Sequence, residues 1–550
     1  MASVETVFEE DHLVPLALAN DTLFAFSRLD GNLYKTSVRG RGKVGEYQAL
    51  PMSDLLAPFC VPGRPFIYDL IHGDNMVTVR EFALLESGLG APSVRSFEAP
   101  ADSTHRLISL VPDAAEATLC AVFEPLFAGG TWFLLNIHAG NVRPCEVVSG
   151  GPKCILADGT LVAESDTGWS TALHGIPVRN GPGSVISVTS DFAVVRRSDK
   201  TGSLFSLVSG TDVQDIAAPA GWNIISLAAS DTRITAYAIH SALGQRLLHM
   251  APKDGFFTFD GTEAATSQVF AMGADVDPVI RSTGLVQGSS WRTSRGVFAG
   301  IASERVDLRA VHLTLAGLPC VYVQGRQPGA GELLVCLHGG PDSHELDDLR
   351  FGGTYRKLLD AGFDLLMVNY PGSAGFGVAF QEQAWHNWDG AVQSSADAVA
   401  GLLKSSPTSA VSILGVSFGA WIGLQLAAHL QARRVVALSP IIDLHQHLLL
   451  HGDDPEFRTW AEARFAFPAL APHGGEPDAP TFAGPVIVIA PDSDEVVLPA
   501  STQKSVLTAQ KSGRAWTSVT VPGNHYPQVS ADAERRWAAL VAALTRSRTP

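Results

Sequence analysis

Three short stretches hold the residue types that acyl transfer needs. Gly415-Val416-Ser417-Phe418-Gly419 is preceded by the apolar Ser412-Ile413-Leu414 and followed by a helical pattern from Ala420 to Leu430. Strand, sharp turn and helix are the context of a nucleophile elbow. There the flanking glycines remove Cβ atoms that would clash, and the serine hydroxyl sits at a helix N-terminus, where backbone N–H groups favour developing negative charge. A serine nucleophile needs a base to take its proton and an acid to orient that base. Pro491-Asp492-Ser493-Asp494-Glu495-Val496-Val497 follows the apolar run Val486 to Ala490, and Pro522-Gly523-Asn524-His525-Tyr526 follows a run ending at Val521. His525 is therefore the expected base, and the acid lies among Asp492, Asp494 and Glu495. The tetrahedral intermediate needs two fixed donors for its oxyanion. The Phe418 amide comes with the elbow, and His338-Gly339-Gly340-Pro341, directly after Leu333 to Leu337, is the loop expected to supply the second.

The elements around these stretches alternate. After Arg309, strands are expected at Leu333 to Leu337, Leu365 to Val368, Ser412 to Leu414, Val435 to Leu438, Val486 to Ala490 and Thr517 to Val521. Helices are expected near Arg350 to Ala361, Ala391 to Ser405, Phe418 to Leu430, Ser501 to Ser512 and Ala531 to Thr545. Strands apolar on both faces that alternate with helices require a doubly wound, mostly parallel sheet covered on two sides, here of α/β-hydrolase type. Each candidate site residue falls just past a strand's C-terminal end, the face where such sheets bind ligands.

Before about residue 300 the pattern is all-β. Asp30-Gly31 and Asp158-Gly159 each separate two short apolar runs, as in hairpins whose turns need φ > 0. Similar pairs turn at Ala139-Gly140-Asn141, at Asp199 to Gly202 and near Gly244. At roughly 40 residues per four-stranded blade this length suits a β-propeller of about seven blades, with two stacked sandwiches as the alternative. The expected division is a β-propeller over residues 1–305 that gates access and an α/β-hydrolase catalytic domain over 306–550.

The motifs taken together resemble the catalytic domain of the prolyl oligopeptidase family, nearest its acylaminoacyl-peptidase branch. They are His338-Gly339-Gly340-Pro341, Asn369-Tyr370-Pro371-Gly372-Ser373-Ala374-Gly375-Phe376-Gly377, the elbow, Asp494-x-x-Val497 and Gly523-Asn524-His525. The resemblance covers about residues 305 to 545, and the family's N-terminal propeller agrees with the β-rich half. It implies Ser417 as nucleophile, His525 as base, Asp494 as acid through its Asp-x-x-Val spacing, and the amide of Gly339 or Gly340 as second oxyanion donor. Two positions depart from the family pattern: Pro371 stands where an arginine is usual, and Ala490-Pro491 where His-Gly is usual.

Composition narrows the partners. Among 550 residues, 39 Lys and Arg face 55 Asp and Glu, a net charge of −16 without any basic block, so a nucleic-acid backbone is excluded as a partner. No apolar run approaches the ~20 residues a membrane-crossing helix needs. The opening MASVETVFEEDHLVPLAL puts acids where a secretory signal carries basic residues, and the cysteines at 60, 120, 145, 154, 320 and 336 have no C-x-x-C spacing. A reducing cytoplasm is the expected compartment. His445, His447 and His451 have metal-like spacing but no fourth ligand nearby, and are expected on a partly exposed segment over the site. Asp342, His344, Glu345, Asp347 and Asp348 are expected to form a solvated loop, with contact to a cationic part of the substrate as the alternative. The function expected is a serine hydrolase that cleaves amide bonds of short peptides through an acyl-enzyme on Ser417, with no metal or organic cofactor. An esterase, amidase or acyltransferase acting on an acylated small molecule is the alternative, and a non-catalytic propeller scaffold the more distant one.

Overall fold

The computed structural model describes residues 12–19, 22–28, 32–37, 48–50, 58–60, 66–73, 76–85, 88–98, 105–126, 131–145, 150–173, 176–199, 202–263, 265–272, 277–293, 296–300, 302–325, 331–405, 408, 410–465 and 482–545. The N-terminal half is a series of antiparallel units, each made of strands consecutive in sequence, over 13–50, 58–98, 105–145, 151–181, 184–216, 223–263 and 266–299. The third and fourth join into one sheet through a parallel bridge between Asp113 and Ile155. The Asp158-Gly159 turn forms as its residues require: Gly159 has φ 86°, and Asp158 Oδ1 accepts from Thr160 N at 2.9 Å. Asp30, Gly31 and the centre of the Asp199 to Gly202 turn lie outside the described residues.

Strand alternation leaves each unit with apolar faces that neighbouring units cover. Phe24 and Leu33 pack on Ile67 and Phe82, Tyr68 and Val77 on Phe123 and Leu135, and Val122 and Leu134 on Ile155 and Leu161. Cys154 and Val162 meet Ala193, Phe205 meets Trp222, and Tyr237 and Leu247 meet Ile280. Leu13, Leu23 and Ala25 of the first unit pack on Met272, Val279 and Trp291 of the last.

The C-terminal half is one eight-stranded sheet. Its parallel part runs, in spatial order, Phe363–Val368, Glu332–Leu337, Val411–Val416, Arg434–Leu438, Val486–Pro491 and Trp516–Val521. Two antiparallel strands absent from the expected pattern, Arg309–Leu315 and Leu318–Gln324, extend it beyond Phe363–Val368. They are joined by Ala316-Gly317, both at positive φ (48° and 82°), a two-residue turn in which alanine stands where Asn, Asp or Gly would announce a hairpin. Helices Trp388–Ser405, Phe418–Leu430 and Pro499–Lys511 cover one face, Arg350–Asp360 and Ser530–Thr545 the other. The second core continues into the β-rich half, where Tyr237, Leu247 and Leu285 pack with Leu346, Leu349 and Tyr355. Strand order reverses at Glu332–Leu337, so the crevice lies between the loops leaving Leu337 and Val416.

No helix among the described residues is long and apolar enough to cross a membrane.

Candidate active site

Ser417 stands between strand Val411–Val416 and helix Phe418–Leu430 with φ 52° and ψ −118°, a conformation that L-residues adopt only when their surroundings enforce it. The enforcement is visible in the glycines. A Cβ at Gly415 would lie 2.5 Å from Ala420 Cα and 2.6 Å from Gly419 O, and one at Gly419 would overlap the carbonyl oxygens of Leu337 and His338. The turn is pinned by Ser417 N donating to Leu438 O at 2.9 Å and by Ile441 N donating to Ser417 O at 3.1 Å. The result presents the Ser417 side chain at the first turn of a helix, whose leading N–H groups have no partner within that helix.

The loop His338-Gly339-Gly340-Pro341, expected to supply an oxyanion donor, reaches Ser417 directly. A Cβ at Gly339 would lie 3.0 Å from Ser417 Cβ and 3.3 Å from Val416 O, so any larger residue would push the loop away from Ser417 by a few tenths of an ångström. His338 braces the loop from below: its ring stacks on Tyr370 at 4.4 Å, its Nε2 lies 2.7 Å from Ser373 Oγ, and Tyr370 OH donates to His338 O at 2.8 Å. Burial drives the His338 pKa down to about 3, which keeps a neutral imidazole beside the site.

Of the three crowded acids, Asp494 is the one beside His525. Its Oδ1 and Oδ2 lie 3.0 and 2.8 Å from His525 Nδ1, and both side chains are buried. Oδ1 also accepts from Val496 N at 3.0 Å and Val497 N at 2.7 Å, so the carboxylate is held before it meets the ring. Asp492 and Glu495 are exposed; Asp492 accepts from Gly523 N at 3.1 Å and thereby ties the acid loop to the base loop. Asn524 strengthens that tie, since its Oδ1 accepts from His525 N at 2.6 Å and Glu495 N at 3.2 Å. With Asp494 on Nδ1, Nε2 is the ring nitrogen turned away from that carboxylate.

Arg536 was not visible as a site residue in the sequence. From helix Ser530–Thr545 it donates to His525 O at 2.6 Å and to Asn524 O, and it is almost wholly buried. Burial brings its pKa down to about 10 against the opposing pull of Asp494 and Asp532. An arginine eleven residues past a candidate base, on the same face as apolar Ala533, Trp537 and Leu540, is the only signal that could have pointed to it.

The acidic stretch after the oxyanion loop corrects the expectation of a solvated loop. Glu345 and Asp347 are buried, and Asp342 accepts from Gln381 Nε2 at 2.8 Å, Trp460 Nε1 at 2.8 Å and Arg464 Nε at 2.6 Å. Tyr355 OH donates to Glu345 at 2.8 Å, and Arg350 lies 3.3 Å from Asp348. The partners of Asp342 come from helices 39 to 122 residues downstream, so its pairing could not be read locally.

His445, His447 and His451 fall on helix Leu444–His451, beside the acid loop. His447 and His451 share a face, with rings 4.8 Å apart, and His451 Nε2 is 2.9 Å from Val496 O. His447 lines a small pocket with Ile441, Asp443, Val497 and Thr502. Burial, helped by His451 and His525, lowers its pKa to about 4. Among the described residues no group of three or more His, Cys, Asp or Glu side chains could hold a metal ion.

Comparison with known proteins places this architecture. The chain superposes on a Mycobacterium tuberculosis puromycin-hydrolyzing peptidase with a TM-score of 0.68 at 16% identity, over 99% of this chain and 96% of that one. Pyrococcus horikoshii acylaminoacyl peptidase gives 0.67 at 11%, over 98% and 96%, and prolyl oligopeptidase B of Galerina marginata gives 0.68 at 10%, over 99% and 90%. The chain has the fold of these peptidases. It therefore combines an α/β-hydrolase domain with an N-terminal β domain, and the resemblance read from its motifs holds at the level of fold. In sequence, a stretch of 124 residues is 31% identical to dipeptidyl aminopeptidase BIII of Pseudoxanthomonas mexicana, covering 22% of this chain and 18% of that relative. No family model matches.

Proposed function

We propose that this chain is a serine peptidase of the prolyl oligopeptidase type, cleaving short peptides through an acyl-enzyme on Ser417. The observation that carries the reading is the buried Asp494–His525 pair held at the end of the parallel sheet that also carries the Ser417 elbow. As substrate seats, Ser417 Oγ attacks the scissile carbonyl carbon and its proton passes to His525 Nε2. The oxyanion faces the amides of Phe418 and of Gly339 or Gly340. Collapse breaks the C–N bond, and the imidazolium, stabilised by Asp494, gives its proton to the leaving amine. Water then attacks the acyl ester, His525 takes the water proton, and that proton returns to Ser417 Oγ as the acid departs.

The β half within residues 1–305 acts, in this reading, as a seven-bladed propeller over the catalytic domain of residues 306–550. Its support is the run of consecutive antiparallel units and the packing of the first on the last, which is how a radial array closes. A closed array above the strand ends confines the site and restricts substrates to short peptides.

The test is active-site labelling with a fluorophosphonate, followed by turnover of matched peptide anilides and esters. The reading expects labelling on Ser417, its loss in Ser417→Ala, a fall of at least ~10³ in kcat, and hydrolysis of the anilide as well as the ester. Turnover of the ester alone would favour the esterase alternative, and normal turnover by Ser417→Ala would refute the nucleophile.

A further inference from the structure

The segment from Gly339 to Leu349 belongs to no helix or strand, so side chains and backbone bonds from other elements must hold its shape. Asp342 and Glu345 are held from within the α/β half, as described above. Asp347 takes its hydrogen bonds from the β half, with His312 Nε2 of strand Arg309–Leu315 3.8 Å from its Oδ1. Gln245, buried on strand Gly244–Met250, donates from Nε2 to Asp347 Oδ1 at 2.9 Å, and Tyr237 OH fixes the Gln245 amide by donating to its Oε1 at 2.9 Å. Leu285 N, from the following unit, donates to Asp347 O at 2.8 Å. The same sheet reaches the loop a second way. Ile225 packs where a Cβ on Gly375 would lie 3.3 Å from its Cδ1, and the neighbouring Ala374 N donates to Ser343 O at 2.8 Å.

We propose that Gln245 is a positioning residue for the oxyanion loop, so that the β half sets the catalytic geometry at Ser417 as well as access to it. Oxyanion donors act only when held within about 0.5 Å of their working place. The glycines that approach Ser417 carry no side chains of their own, so the loop is anchored from its flanks, by His338 before them and by Asp342, Glu345 and Asp347 after them. The last of these anchors is bonded from the other domain. The inference rests on the serine-hydrolase reading above.

The test uses the full-length chain with Gln245→Leu and, as a milder change, Tyr237→Phe. Two substrates are compared: p-nitrophenyl acetate, too small for access to limit it, and a short peptide anilide. Gln245→Leu is expected to lower kcat about tenfold on both with KM within twofold, and to slow fluorophosphonate labelling of Ser417 in parallel. Tyr237→Phe is expected to lower kcat two- to threefold, and it carries the test if Gln245→Leu does not fold. Unchanged kcat on the small ester in both folded variants, or a change confined to the KM of the peptide, would overturn the proposal and leave Gln245 a domain-docking residue. Absence of labelling in the wild-type chain would instead overturn the underlying reading.

Discussion

Replacing Asp494 by asparagine tests the site most sharply, because the surroundings dictate how the new side chain must lie. The Asp494 Oδ1 position accepts from two backbone amides, at 3.0 and 2.7 Å, and only an oxygen can stay there. The asparagine NH2 is therefore forced toward His525 Nδ1, now 2.8 Å from Oδ2. A donor facing Nδ1 selects the tautomer with its proton on Nε2, which cannot take the Ser417 proton. The expected loss in kcat is roughly 10⁴, or about 5.5 kcal/mol in the barrier, as for other hydrolases that lose this carboxylate. Asp492→Asn keeps an amide oxygen that can still accept from Gly523 N, now 3.1 Å from Asp492 Oδ1, and loses only the charge of an exposed carboxylate, a change worth about 1 kcal/mol at most, so kcat should fall no more than about fivefold. Initial rates on a short peptide anilide, with thermal melts to confirm folding, measure both. A loss under tenfold for Asp494→Asn, or a larger loss for Asp492→Asn, would refute the assignment of the acid.

Gly419→Ala should cost at least about 3 kcal/mol of stability or prevent folding, since its Cβ would overlap the backbone oxygens of Leu337, at the end of a sheet strand, and of His338, which accepts from Tyr370 OH; denaturant midpoints measure this. For His447, with a folded-state pKa lowered from 6.5 to about 4, the unfolded chain binds the proton first as pH falls, so its contribution to stability is complete above about pH 6.5 and is lost toward pH 4. Between pH 7 and 5 that loss is on the order of 1–2 kcal/mol, and His447→Gln should flatten the fall by that amount in urea titrations. If the β half encloses the site, a ladder of peptides from about five to sixty residues should be cleaved with falling rates, and a folded protein carrying the same bond should be spared; equal rates throughout would contradict enclosure.

Local chemistry was legible in the residues themselves. The elbow could be recognised because its determinants lie within a few residues of Ser417: glycines where Cβ atoms cannot fit, a strand before and a helix after. The order of Ser417, Asp494 and His525 could be read because each follows a strand; the strands before Ser417 and Asp494 are mostly buried, whereas Trp516–Val521 before His525 is a sheet-edge strand with four exposed residues. The hairpins of the β half were readable for the same reason, whereas Ala316-Gly317 hid the pair Arg309–Leu315 and Leu318–Gln324 behind an alanine held at positive φ by its context.

What depended on distant parts of the chain meeting was decided by the tertiary structure alone. Residue types left Asp492, Asp494 and Glu495 equivalent, and the family spacing that favoured Asp494 said nothing of why; the buried contact with His525 supplies the reason. The acidic residues after the oxyanion loop read as solvated because charge in a loop usually is. Their partners, Arg464 and Trp460 for Asp342 and Gln245 for Asp347, stand more than a hundred residues away. Arg536 likewise acts through two carbonyl groups that only the folded base loop brings to it. A sequence determines which residues can do chemistry and which backbone turns can present them; burial and pairing, which put Asp494 against His525 and hold the loop after Leu337, depend on contacts that exist only once the sheet, its helices and the β half are packed together.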